Sequence, residues 1–272
     1  KYVYIPKFAH NKNPDSNNVY YAGPDYDDNE LCAAIKCLLN DFWSVNGERV
    51  VEFEDKFSEI IGLKYSAATN SGSSANLIML AASKKYFNWK DGDSILTSCV
   101  NFPTTISPII QNNLTVQFVD IEWDTLNFDL NQLESKINTA TKAILVSPAL
   151  GNPPSIDILL DITKKYNLVL LLDGCDSLLT SWKDKSIQSY FFASTCSFYP
   201  SHEISTLSGG MVSSNNPQFI TLCRQFTSWS RSCFCRGKNN LLKDGECKTR
   251  FRPWLKSQPD MILDHKYIYE NM

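Results

Sequence analysis

The sequence predicts an α/β fold, a three-layer αβα domain in which helices cover both faces of a mainly parallel central sheet. Two observations lead there. From residue 65 onward, short strand-like runs alternate with helical patterns, the order that builds βαβ units rather than hairpins. The chain also has 272 residues, enough to bury a substantial core as one large domain, or as one domain with part of another.

Taken in order, residues 1–28 are polar, aromatic and rich in Asn, Asp and Pro without a sustained period, and are expected to form an N-terminal arm. Helical patterns follow at 29–42 and 49–61. Strands are expected at 65–69, 94–100, 115–120, 143–147, 168–173, 191–198 and 210–213, with helices at 73–84, 103–111, 130–137, 156–166 and 217–229. Pro103 and Pro217 suit a first helical turn, where a missing N–H is not needed. Beyond residue 229 the alternation gives way to charged residues, cysteines and aromatics, so 29–229 reads as the large domain and 230–272 as a long functional loop. No internal repeat, heptad array or low-complexity tract is present.

Charge and hydropathy narrow the function. A net charge of −3, from 26 basic and 29 acidic residues, leaves no electrostatic footprint for nucleic acid or an anionic membrane. The partner is therefore expected to be a small molecule or another protein. The longest apolar runs are too short to span a bilayer and the N-terminus lacks a secretory pattern, which points to the cytoplasm. Nine cysteines, an odd number without a signal sequence, argue against a disulfide framework and leave metal ligation or burial. Cys32, Cys37, Cys99, Cys196 and Cys223 lie in apolar helical or strand patterns and are expected to pack as small hydrophobes.

Three segments carry chemistry. Thr69-Asn70-Ser71-Gly72-Ser73-Ser74-Ala75-Asn76 follows a strand and opens a helix, so free backbone N–H groups and hydroxyls converge as they would on an anion; plain helix capping is the alternative. The run at 168–172 is apolar and closes on Asp173, at the sheet edge where ligands of open α/β sheets sit. That aspartate suits either a cationic ring nitrogen or a helix cap. Finally, Ser197-Phe198-Tyr199-Pro200-Ser201-His202-Glu203-Ile204 and Ser208-Gly209-Gly210-Met211-Val212 form a strand, a polar turn and a second strand that opens on paired glycines.

This last pattern resembles the sugar aminotransferase (DegT/DnrJ/EryC-type) family of pyridoxal-phosphate enzymes, in which a serine-aromatic pair precedes the Schiff-base lysine and a Gly-Gly strand. The likeness runs from about residue 29 to the end and is densest at 70–76, 101–105, 150–153, 173–176, 197–204 and 228–235. It implies the large domain of the aspartate aminotransferase-like fold. Here the lysine position is His202, so that position offers no ε-amine to hold pyridoxal phosphate covalently, whereas an imidazole can move a proton near neutrality. The same replacement marks the 3-dehydrases that use pyridoxamine phosphate (PMP) on nucleotide-linked 4-keto-6-deoxyhexoses.

Residue by residue, the resemblance implies that Gly72 and Ser73 bind the cofactor phosphate with Ser197 as a third contact, and that Phe102 stacks on the pyridine ring. Asp173 would keep the ring nitrogen protonated so that the ring is an electron sink. Asp176 sits where relatives place a glutamine near the ring hydroxyl, and His202 is the base. One branch also carries a 2Fe-2S cluster, and Cys175, Cys233, Cys235 and Cys247, spaced C-x57-C-x-C-x11-C, are similar to its ligands. Four thiolates could instead hold zinc, or the cysteines could be unligated. That branch implies CDP-4-keto-6-deoxyglucose as substrate, loss of the C3 hydroxyl, reduction by a flavin or iron-sulfur reductase, and a homodimer when full length. The alternatives are a cluster-free 3-dehydratase of a GDP-sugar and a non-catalytic homologue that keeps the scaffold. Glu203 and Leu207-Ser208 depart from the family pattern, and the chain is expected to stop at the start of a truncated C-terminal small domain.

Overall fold

The computed structural model describes residues 27–40 and 47–230. Helices α1 (Asp28–Asn40) and α2 (Glu48–Ile60) precede β1 (Tyr65–Thr69) and α3 (Gly72–Tyr86). Three strand–helix pairs follow: β2 (Ser94–Ser98) with α4 (Pro103–Gln111), β3 (Thr115–Val119) with the short α5 (Leu130–Leu133), and β4 (Thr141–Val146) with α6 (Ile156–Tyr166). The chain then forms β5 (Val169–Asp173), a two-stranded hairpin of β6 (Ser181–Trp182) and β7 (Lys185–Ser186), β8 (Ala193–Ser197), β9 (Gly210–Ser214) and α7 (Pro217–Thr227). The seven-stranded sheet has the order β1-β9-β8-β5-β4-β2-β3. β3, β2, β4, β5 and β8 pair in parallel, while β9 runs antiparallel to both of its neighbours.

Period-two alternation along the strands divides the core into layers. Ala143, Leu145 and Leu171 point to the face covered by Met79 and Leu80 of α3, Ile109 of α4 and Phe219 and Ile220 of α7. Their neighbours Ile144, Val146, Leu170 and Leu172 point to the opposite face, against Ile156, Leu159 and Ile162 of α6. Those three α6 positions recur at helical spacing, and the helix ends at Asn167 in the left-handed conformation (φ 53) that suits asparagine. A third cluster, with Phe57 of α2 and Ile61 just after it against Cys196, Phe198 and Met211, packs beside the β1-β9-β8 end of the sheet. Full burial of each such side chain contributes about 1.5–3 kcal/mol.

The expected three-layer architecture and mainly parallel sheet are present. The helix expected at 130–137 is split into α5 and a 3-10 turn at Glu134–Lys136. Cysteine burial needs correction. Cys196 and Cys223 are buried, and burial pushes the Cys196 thiol up to about 12. Cys32 and Cys99 are exposed and Cys37 half-buried, because α1 presents most of its described residues to solvent and Cys99 lies beyond the end of β2, beside Asp120. The expected arm, apart from its last two residues, and the segment from residue 231 onward lie outside the described residues.

One buried ion pair ties α2 and α7 to β1. Glu54 is 4% exposed; its Oε2 lies 2.9 Å from Arg224 Nη2 and its Oε1 accepts from the Ala68 N–H at 2.9 Å. Arg224 also donates to the Ser66 carbonyl. Removing one partner strands a buried charge, so Arg224→Met is expected to lower unfolding free energy by about 3–5 kcal/mol in urea titrations. A loss below about 1 kcal/mol would show that the pair contributes no more than a surface salt bridge does.

Candidate active site

Six of the seven strands run the same way, so their carboxyl ends gather at one edge, and the side chains with chemistry collect there. Register places Thr69 of β1 and Ser197 of β8 on either side of Gly210 of β9. Backbone approaches closely at this row. A Cβ on Gly72 would stand 2.5 Å from Ser197 Cβ, 2.9 Å from Cys175 Sγ and 3.0 Å from Ser197 Oγ, and one on Gly210 would collide with the Ser71 carbonyl. Only glycine permits the start of α3 to lie against the ends of β8 and β9.

Ser71 caps α3, its Oγ accepting from Ser74 N at 3.1 Å, which leaves the first-turn amides of Gly72 and Ser73 without intrahelical acceptors at the positive end of the helix dipole. The exposed Ser73 hydroxyl donates to Thr104 Oγ1 at 3.0 Å, and Ser197 Oγ accepts from Tyr199 N at 3.3 Å. Amides, hydroxyls and the dipole thus face one region, an arrangement that suits a phosphate.

Asp173, 4% exposed, ends β5 beneath this edge. Its Oδ2 accepts from Thr105 Oγ1 at 2.6 Å and Asn76 Nδ2 at 2.7 Å, while Thr195 Oγ1 donates to Asn76 Oδ1 at 2.7 Å and so fixes the orientation of that amide. Oδ1 accepts from Cys175 N at 3.3 Å, with the Thr195 hydroxyl 3.5 Å away. One carboxylate oxygen is saturated with short bonds, and the other keeps acceptor capacity for a cation.

His202 lies in the turn between β8 and β9, its backbone N–H bonded to Tyr199 O at 3.0 Å. Its Nδ1 is 3.2 Å from Asp176 Oδ1, and its side chain is 17% exposed against 57% for Asp176. With Nδ1 engaged by the carboxylate, Nε2 is the nitrogen left to exchange a proton. Phe102 is 68% exposed at the head of α4, two and three residues before the threonines that touch Ser73 and Asp173.

The sequence profile of the DegT/DnrJ/EryC1/StrS aminotransferase family matches residues 24–244. The chain belongs to that family. It is 36% identical over 247 residues to the lipopolysaccharide biosynthesis protein RfbH of Salmonella typhimurium, covering 89% of this chain and 55% of that protein. It is 31% identical to a dTDP-4-dehydro-2,6-dideoxy-D-glucose 3-dehydratase of Saccharopolyspora spinosa, covering 92% and 54%. Among solved structures it resembles the E. coli GDP-4-keto-6-deoxy-D-mannose-3-dehydratase with bound hydrated PLP, with a TM-score of 0.72, 32% identity and coverage of 83% and 57%. The chain spans about half the length of the curated relatives it matches.

Family membership implies pyridoxal or pyridoxamine phosphate as cofactor, and the residues present fit it. The cradle at Gly72, the free amides of α3, the Ser73 and Ser197 hydroxyls, the spare acceptor on Asp173 and the exposed ring of Phe102 match the phosphate, ring nitrogen and ring face of such a molecule. Of the residues expected from the sequence, Gly72, Ser197, Cys175 and Asp173 are brought together, and Asp176 and His202 touch each other. Asp176, which stands where relatives place a glutamine near the ring hydroxyl, contacts His202 Nδ1. Cys175 is half-buried against Gly72, and burial with the neighbouring Asp173 carboxylate pushes its thiol up. Cys233, Cys235 and Cys247 lie outside the described residues, and among the described residues no group of three or more His, Cys, Asp or Glu is placed to hold a metal.

Sequence reasoning missed the roles of Thr105 and Thr195, and gave Asn76 none beyond its motif. The available signal was polar residues within strands that must be buried, such as Thr195 in β8. Because the first turn of α3 has no room above Gly72, Gly72→Ala is expected to weaken PMP binding at least tenfold in calorimetric titration, about 1.4 kcal/mol. An unchanged Kd would mean the phosphate does not sit at this turn.

Proposed function

We propose that this chain carries the cofactor-binding domain of a PMP-dependent 3-dehydratase acting on a nucleotide-linked 4-keto-6-deoxyhexose. The observation that carries the reading is His202. It stands in the turn where the family resemblance puts the lysine, residues 197–210 contain no lysine, and Asp176 engages Nδ1 so that Nε2 can take and return a proton. When bound, the cofactor supplies an electron sink that makes a C–H bond next to its amine acidic.

The protein's share of the work is orientation and proton transfer. The amides of Gly72 and Ser73 with the Ser73 and Ser197 hydroxyls would hold the phosphate. Asp173, itself held by Asn76 and Thr105, would pair with the ring nitrogen, and Phe102 would cover the ring. With the cofactor bound, His202 Nε2 would be the atom that takes the proton from the methylene beside the amine, and Asp176 at Nδ1 would stabilise the imidazolium. Retention of this whole set speaks against a non-catalytic scaffold.

The finer reading is that the substrate is CDP-4-keto-6-deoxyglucose and that a 2Fe-2S cluster on Cys175, Cys233, Cys235 and Cys247 takes electrons from a flavin or iron-sulfur reductase for reductive 3-deoxygenation, in a homodimer. It is supported by the four-cysteine pattern and by the position of Cys175 two residues after Asp173. In this division residues 29–229 are the cofactor-binding domain and 230–272 carry the remaining cysteines. A cluster-free dehydratase of a GDP-sugar is the second reading, favoured by the likeness to the E. coli enzyme named above.

In the full-length protein, His202→Asn is expected to retain PMP while solvent deuterium no longer exchanges into the cofactor methylene in the presence of substrate. The rate should fall at least ~100-fold, the lower end of what a positioned general base supplies. Exchange at the wild-type rate would remove His202 from the chemistry.

A further inference from the structure

The contact between Asp176 and His202 raises a physical question. A carboxylate that is 57% exposed gains little from a single ion pair in water and pays entropy to hold one geometry. Its backbone must therefore be fixed by something else if Nδ1 is to stay engaged. The loop after β4 does this. Leu150 (φ 52) and Gly151 (φ 76) are both left-handed, and the leucine is 89% exposed, so no packing of its side chain offsets a strain of about 1–2 kcal/mol. The turn carries Gly151 close against Asp176: a Cβ on Gly151 would lie 2.7 Å from the Asp176 backbone carbonyl oxygen.

Thr180 locks the contact from the other side. Its hydroxyl donates to the Gly151 carbonyl at 3.0 Å, its N–H donates to Ser177 O at 3.2 Å, and its own carbonyl accepts from Ile187 N at 2.9 Å. The far end of the loop is held as well, since Asn127 Nδ2 donates to the Asn152 carbonyl at 2.9 Å and Gly151 N to Pro148 O at 3.2 Å. The segment bearing Asp176 is thus clamped between a turn that only glycine can complete and a hydroxyl four residues further on.

We propose that Gly151 and Thr180 are positioning residues for His202, acting through the backbone of Asp176 to keep the imidazole proton on Nδ1 and the lone pair on Nε2. The catalytic meaning rests on His202 being the base proposed above; the geometry does not. Other acids lie nearby in the chain, Glu203 next to His202 and Asp173 three residues before Asp176, but the contact at Nδ1 is made by Asp176.

The test reads the tautomer rather than activity, by long-range 1H–15N correlation of the imidazoles in the full chain at a pH where they are neutral. The chain has three histidines, and His202→Asn identifies the resonances of His202 by their loss. In the wild type the Nδ1–H form should dominate. Thr180→Val, Gly151→Ala and Asp176→Ala should each lower the ratio of Nδ1–H to Nε2–H by about twofold or more, the effect of losing one half-exposed ion-pair contact. Thr180→Ser, which keeps the hydroxyl, should restore the wild-type ratio. If alanine at Gly151 prevents folding, the near-isosteric Thr180→Val with its serine control decides the matter. An Nδ1–H ratio unchanged in Thr180→Val overturns the positioning role, and a wild-type protein in the Nε2–H form overturns the pairing itself. Absence of dehydratase activity would overturn the proposed function and leave this result standing.

Discussion

A carboxylate can remain inside a protein only where hydrogen bonds replace the water it has lost, since leaving it unpaired costs several kcal/mol. Asp173 meets that condition with donors from three separate elements: Asn76 of α3, Thr105 of α4 and the Cys175 N–H just beyond its own strand, with Thr195 of β8 orienting the asparagine. These bonds fix more than one side chain. They set where α3 and α4 begin relative to the end of β5, and so place the free amides at Gly72 and the ring of Phe102 around a common space. The mainly parallel sheet supplies the edge, and the buried acid determines how the elements meet there.

The second constraint is backbone crowding. Gly72 lies against Ser197 and Cys175, Gly210 against Ser71, and Gly151 against Asp176, so strand ends and helix starts come closer than any Cβ would permit. The loops that frame the edge also carry leucines in the left-handed region: Leu150, Leu179 and Leu207, all exposed. Strain without packing to offset it is tolerated where the loop shape serves something other than stability. At Leu150 that shape fixes Asp176, and through it the imidazole of His202.

Much of this could be read from the chain. Strands at 65–69 and 168–173, and helices at 103–111 and 156–166, were legible because apolar runs and proline or asparagine at helix ends state their type directly. The reversed direction of β9 was not, because a buried strand has the same composition whichever way it runs. The hairpin of β6 and β7 is two residues per strand, too short for periodicity to register. At the candidate site, Gly72, Asp173, Ser197 and His202 were singled out through motif and resemblance. Thr105 and Thr195 were missed because a threonine that bonds a buried acid looks like any β-branched residue. No sequence signal marks a leucine with positive φ, so the clamp on Asp176 needed three dimensions.

The central claim is that the spare acceptor of Asp173 faces the ring nitrogen of the cofactor. The measurement that tests it most directly is the 15N chemical shift of PMP labelled at the ring nitrogen and bound to the protein. A protonated ring nitrogen is expected in the wild type and a neutral one in Asp173→Asn. A neutral nitrogen in the wild type, or a protonated one that survives the substitution, would contradict the assignment of Asp173 and with it the placement of the cofactor at this edge.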